Sequence, residues 1–222
     1  MIPAPSHRHD IVTQSILPAT LAPPKPCLSR RFVLPALASL IAYPGLARPA
    51  VAASIAGVDV PESYHVDGHS LVLNGYGLRT LTFLRIKIYV AALYLPRKAY
   101  DPQAIMASAG PTVVVVHYLH SGTQEQVQSR YREGEQENCG DGSCDPSLRA
   151  DFERLLSVVP PVEPGDTTDF VVTEKSLRIS FNGRPLEEFG RGALGRIILA
   201  GFIGPHPPTQ DLRASLLGLM TP

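Results

Sequence analysis

Hydrophobic positions along the chain switch between a period of two and a period near 3.6, and each switch marks an element. Ser70-Leu71-Val72-Leu73 reads as a strand leading into Asn74-Gly75-Tyr76-Gly77, a turn of the kind glycine permits. From Thr80 to Leu95 the chain is rich in Leu, Ile, Tyr, Phe and Val, which predicts a long strand or a hairpin that Pro96 stops. Thr112 to Leu119 holds four consecutive valines and is apolar on both faces, so it belongs in the middle of a sheet. After Ser121-Gly122 the period lengthens. Thr123 and Gln126 match a capping box, and Val127, Tyr131, Gly134 and Asn138 follow at helical spacing. A second helix is predicted from Ser147 to Val159, with Leu148, Phe152, Leu155, Leu156 and Val159 on one face and Pro160-Pro161 beyond its end. Thr168–Thr173 and Leu177–Phe181 predict a short hairpin ending at Asn182-Gly183. A third helix is expected from about Leu186 to Phe202, with Phe189, Ala193 and Ile197 on one face and Gly204 and Pro205 after it, and a short last one from Thr209 to Leu219. Strands and helices are mixed, with adjacent strands at both ends, which favours α+β over a doubly wound sheet.

The first fifty residues follow neither rhythm. Arg8, Lys25, Arg30 and Arg31 stand against one acid, Asp10, before an uncharged run from Phe32 to Ala47 and the small-residue stretch Ala50-Val51-Ala52-Ala53. A basic region, a short apolar region and an A-x-A site predict an export signal. Ser29-Arg30-Arg31-Phe32-Val33-Leu34 is similar to a twin-arginine junction with Phe one place early, and a general secretory signal carrying two arginines is the alternative. The expectation is a leader over 1–52, a domain over 53–222 and a periplasmic destination, with a plastid or thylakoid lumen as the alternative allowed by the long basic region. Within 222 residues, 44% are hydrophobic and 18% charged, an ordinary globular balance. Beyond residue 52 the chain has 15 basic and 19 acidic residues, a net charge of −4 that argues against a nucleic-acid partner. No apolar run reaches the roughly 18 residues a membrane span requires. Cys139 and Cys144 lie in a turn-rich segment, and in an oxidising compartment such a pair predicts a disulfide, with two free thiols as the alternative.

Most catalytic signatures are missing: there is no G-x-S-x-G, P-loop or G-x-G-x-x-G. No cofactor or metal is expected, because His117 and His120, three apart on a strand, face opposite sides. His65 and His69 read as surface residues of a leading loop, and Asp166 and Asp169 as caps. Three polar residues in apolar company stand out. Arg79 sits at the mouth of the long strand, and Tyr131 and Asn138, seven apart on a helix, project within about 20° of each other. Converging between sheet and helix, they would hold an anionic head on an apolar body. Alternatively, Arg79 is a strand-end surface residue, Tyr131 a core-edge residue and Asn138 a helix C-cap.

Leu73-Asn74-Gly75-Tyr76-Gly77-Leu78-Arg79, followed by Ile88-Tyr89-Val90-Ala91-Ala92-Leu93-Tyr94-Leu95, resembles the opening of the chalcone isomerase family, especially its shorter exported bacterial members. Glu133-Gly134 to Asn138, Gly165-Asp166, Ile179 to Gly183, and Phe202-Ile203-Gly204-Pro205 to Leu217-Gly218 are similar in the same order, so the likeness spans about residues 55 to 218. The resemblance implies an open-faced antiparallel sheet packed against a layer of helices, with a flavonoid or fatty-acid ligand between them. Arg79 matches the arginine that stabilises the attacking phenolate in plant isomerases, and Tyr131 and Asn138 match the pair on the ketone side. Two positions depart. The catalytic threonine of the long strand falls at Tyr89, and the late substrate-contacting serine or threonine at Gly201. Both losses favour a binder of a small apolar anion, such as a fatty acid. The alternative is a flavonoid-type isomerase (an intramolecular lyase) that cyclises an enone by oxyanion stabilisation.

Overall fold

The structure, a computed structural model, describes residues 50–81, 84–139 and 144–220, apart from the side chain of Asn138. The expected leader, with its paired arginines, therefore lies outside the described residues up to position 49. The strands are β1 (Val51–Ile55), β2 (Val58–Pro61), β3 (Ser63–Val66), β4 (His69–Leu81), β5 (Ile86–Leu95), β6 (Thr112–Tyr118), β7 (Thr167–Val172), β8 (Leu177–Phe181) and β9 (Arg184–Phe189). The helices are α1 (Pro102–Met106), α2 (Gln124–Cys139), α3 (Pro146–Val158), α4 (Gly192–Ile203) and α5 (Gln210–Leu216). β3 to β9 form one antiparallel sheet in sequence order, and β1 and β2 a separate hairpin.

The valine run explains the layering. β6 lies at the centre of the sheet, with Val114 and Val116 in the core beneath the helices and Val113 and Val115 in a second core on the opposite face. Helices cover the first face. The β1–β2 hairpin serves the second, where Val60 is buried with Leu71, Val90, Ala92 and Tyr94. The fold is the expected α+β architecture. The capping box forms as predicted: the Thr123 amide donates to Gln126 Oε1 at 2.9 Å and the Gln126 amide to Thr123 Oγ1 at 3.3 Å. Cys139 ends α2 and is bonded to Cys144 just before α3, closing a loop that stabilises by roughly 2 kcal/mol on the chain-entropy estimate. Among the described residues, no helix is long and apolar enough to cross a membrane.

Four local expectations need correction. Asn74–Gly77 is not a turn but the middle of β4, and its glycines serve close packing. α5 lies so near that a Cβ on Gly75 would sit 2.1 Å from the Ser215 carbonyl oxygen. Residues 184–189 are strand, not the start of a helix. Asn182 and Gly183 take φ of +50° and +71°, the two-residue hairpin turn that outweighs the helix-forming Glu187 and Glu188, while Pro185 is tolerated on an edge strand. The leading segment is likewise not a loop: His65 is in β3 and His69 opens β4, although both are exposed. Asp169 caps nothing. It lies within β7 and accepts a 2.7 Å hydrogen bond from the Tyr64 hydroxyl, whereas Asp166 does cap its own turn by accepting from the Glu163 amide and also accepts from Asn182 Nδ2 of the β8–β9 turn.

Candidate ligand-binding cleft

A cavity of about 760 Å³ lies between the helix-facing side of the sheet and helices α2, α3 and α4. Small-molecule sites commonly occupy about 300–1,000 Å³. Its apolar walls include Ile88, Val116 and Phe170 from the sheet and Val127, Phe152, Ile197 and Phe202 from the helices.

The polar wall is built by strand register. Arg79 on β4 pairs with Tyr89 on β5, and Tyr89 pairs with Tyr118 on β6. Directly paired residues share a face, so the three side chains form a row across adjacent strands. The Arg79 guanidinium carbon lies 5.5 Å from the centre of the Tyr89 ring, and the Tyr89 and Tyr118 rings meet edge-to-face at 6.4 Å. Across the cleft, Tyr131 on α2 packs against Phe170, their ring centres 6.5 Å apart.

Burial keeps these phenols protonated. Burial pushes the Tyr89 hydroxyl above its ordinary range, and the charge and hydrogen bonding of Arg79 pull it part of the way back. Burial raises Tyr131 well above its usual value, with the Tyr118 and Tyr89 oxygens adding to the effect. Tyr118 is also raised by burial, and a 3.4 Å hydrogen bond with Thr168 Oγ1 opposes that shift. Arg130, which also lines the cavity, is ion-paired with Glu133. Arg79 has no carboxylate partner among the described residues. The wall therefore presents an unneutralised guanidinium beside proton-donating phenols, a combination suited to a carboxylate or an oxyanion.

Of the residues singled out from sequence, Arg79, Tyr89, Tyr131 and Gly201 all line this cavity. Asn138 lies in the last turn of α2, and its side chain is outside the described residues. His117 and His120 do diverge, although His120 lies past the end of β6 rather than on the strand: His120 lines the cavity, while His117 shares the opposite face with Asp169. Among the described residues no group of histidine, cysteine or acidic side chains could hold a metal. Sequence reasoning missed Tyr118. Its signal was the alternation of β6, since Val114, Val116 and Tyr118 point the same way.

Gly201 marks open space, because a Cβ there meets nothing within 4 Å. Gly201→Ala should therefore leave ligand capacity intact and stabilise α4 by up to about 1 kcal/mol. Gly201→Phe should fill the cleft and reduce binding at least tenfold in a fluorescent fatty-acid titration. Unchanged affinity in the phenylalanine variant would place the ligand elsewhere.

Comparison with known proteins agrees with this architecture. The sequence profile of the chalcone isomerase-like family matches residues 52–218. No curated protein sequence matches the chain. Among solved structures, it is similar to a fatty-acid binding protein of Arabidopsis thaliana at 15% identity with a TM-score of 0.57, covering 72% of this chain and 92% of that one. At that identity the likeness establishes the fold alone.

Proposed function

The chain belongs to the chalcone isomerase-like family, and we propose that it binds a small apolar anion of the fatty-acid type in the cleft between sheet and helices. The observation that carries this reading is Arg79, a cation without a carboxylate partner among the described residues, set beside the apolar sheet side of a cavity whose helix side also carries Arg130, Glu133 and Glu137. A carboxylate would supply the missing charge, with Tyr89 and Tyr118 as neighbouring donors. An acyl chain would lie along Phe152, Phe170 and Ile197, gaining about 0.8 kcal/mol for each methylene buried. The fatty-acid binding protein of similar fold supports that ligand class. The reading includes export, for which the Cys139–Cys144 disulfide is suited.

A flavonoid-type isomerase would use the same guanidinium to stabilise an oxyanion. Gly201 stands where the resemblance to plant isomerases expects a serine or threonine, and Tyr89 puts a larger phenol where it expects a threonine, so the binding reading needs fewer groups that the chain lacks or reshapes. Native mass spectrometry of gently purified protein, followed by fatty-acid titration, tests the proposal. A bound or titratable long-chain acid is the expected result. A protein indifferent to fatty acids that speeds the loss of a chalcone's long-wavelength absorbance above the buffer rate would replace the binder with the isomerase.

A further inference from the structure

The cleft carries a second guanidinium at its polar end. Arg130 lies on α2, one residue before the Tyr131 that packs on Phe170, and lines the same cavity as Arg79 from the opposite wall. Both cations act on one phenol. Burial raises the Tyr89 hydroxyl, and the Arg79 charge, with a smaller contribution from Arg130, lowers it again. Tyr89 therefore marks a place that two guanidiniums reach, one from the sheet and one from the helix layer. Arg130 is held only weakly by its own partner. It pairs with Glu133 one turn along α2, but the two side chains are 49% and 51% exposed. Exposed pairs at this spacing stabilise a helix very little, so an anion in the cleft can draw the guanidinium away from Glu133. Glu137, the other acid of the lining, is seven residues from Arg130. That is about 10 Å along the helix axis, a separation at which exposed charges are largely screened.

We propose that the head group this cleft takes is a phosphate monoester on an apolar body, held between Arg79 and Arg130 as the latter leaves Glu133. This assignment rests on the cavity being the site of a small apolar anion, and it narrows the class of that anion. A carboxylate offers two oxygens and one charge, which Arg79 and a neighbouring phenol satisfy. A phosphate monoester carries a charge of about −1.5 to −2 at neutral pH and three terminal oxygens. That is enough for both guanidiniums, with Tyr89 and Tyr118 as further donors. The planar fork of arginine matches phosphate geometry, whereas a second cation has little to hold on a carboxylate that Arg79 already occupies.

Isothermal titration of the full chain with dodecyl phosphate and with laurate, equal in chain length, tests the assignment. The phosphate should bind roughly tenfold more tightly, since one further charge-assisted contact is worth about a decade in affinity. Dodecyl methyl phosphate, which keeps the phosphorus but only one charge, should fall back towards laurate. Arg130→Gln should collapse the ratio of phosphate to laurate affinity towards one, and Glu133→Gln should widen it by freeing the guanidinium. Both side chains are exposed, so circular dichroism should match the parent in each variant. Equal affinity for dodecyl phosphate and laurate, or a preference that survives Arg130→Gln, would overturn the phosphate head and leave the fatty-acid reading standing. Inorganic phosphate that displaces dodecyl phosphate at matching concentration would assign the site to the free ion and overturn the apolar body. A cleft that takes neither amphiphile removes both readings.

Discussion

Arg79→Ala should weaken binding of a carboxylate-headed ligand by about ten- to a hundredfold while shifting thermal unfolding little. Hydrogen bonds to charged groups contribute about 1.5–3 kcal/mol, and each 1.4 kcal/mol is about a decade in affinity. Arg79 is half-buried beside the buried Tyr89, so its contact is neither fully screened by water nor fully shielded from it. Folding loses much less: the guanidinium's contact with the Tyr89 ring, 5.5 Å away, is worth about 0.5–1 kcal/mol. Arg79→Lys should recover only part of the affinity, since an ammonium retains charge but not the planar donor fork. Isothermal titration with a long-chain fatty acid, beside a melting curve for each variant, checks the pair of expectations. If the alanine variant binds as tightly as the parent, the head group is held elsewhere.

Gly75→Ala should have the largest effect on stability, lowering it by about 3 kcal/mol or more through overpacking against backbone that has no room to give. The new methyl group would sit 2.1 Å from the Ser215 carbonyl oxygen and 2.6 Å from that of Leu216. α5 cannot simply withdraw. Asn74 Nδ2 donates to the Leu216 carbonyl at 2.9 Å, while its Oδ1 accepts from the Ala99 amide at 2.8 Å. The melting temperature should fall by about 6–12 °C, at roughly 2–4 °C per kcal/mol for a domain of this size. Gly201→Ala is the control, since that methyl group meets open space. Function should suffer as well, because β4 carries both the α5 contact and, four residues on, Arg79. A Gly75→Ala protein melting with the parent would mean that α5 does not press on β4.

Much of this architecture was legible where one local signal had no competitor. The four valines of β6 could be satisfied only between two apolar layers, and the structure puts them there. Thr123 and Gln126 announced the start of α2 because the capping box is a local hydrogen-bond exchange. Legibility failed where signals conflicted. Glu187 and Glu188 favour helix, but Asn182-Gly183 and pairing with β8 drew that segment into β9. The Val66-Asp67-Gly68-His69 stretch carried a two-residue hairpin signal that the loop expectation overlooked; Asp67 and Gly68 take φ of +49° and +76°.

Residue order alone determined the α+β class, the central strand, the capped helices and the polar types at Arg79 and Tyr131, because each depends on periodicity or on chemistry within a few neighbours. Tertiary structure decided what Gly75 and Gly77 are for, since their reason lies on α5, more than a hundred residues away. It also decided that Arg79, Tyr89 and Tyr118 form one row, because strand register is set by how β4, β5 and β6 pair and not by any spacing along a single strand.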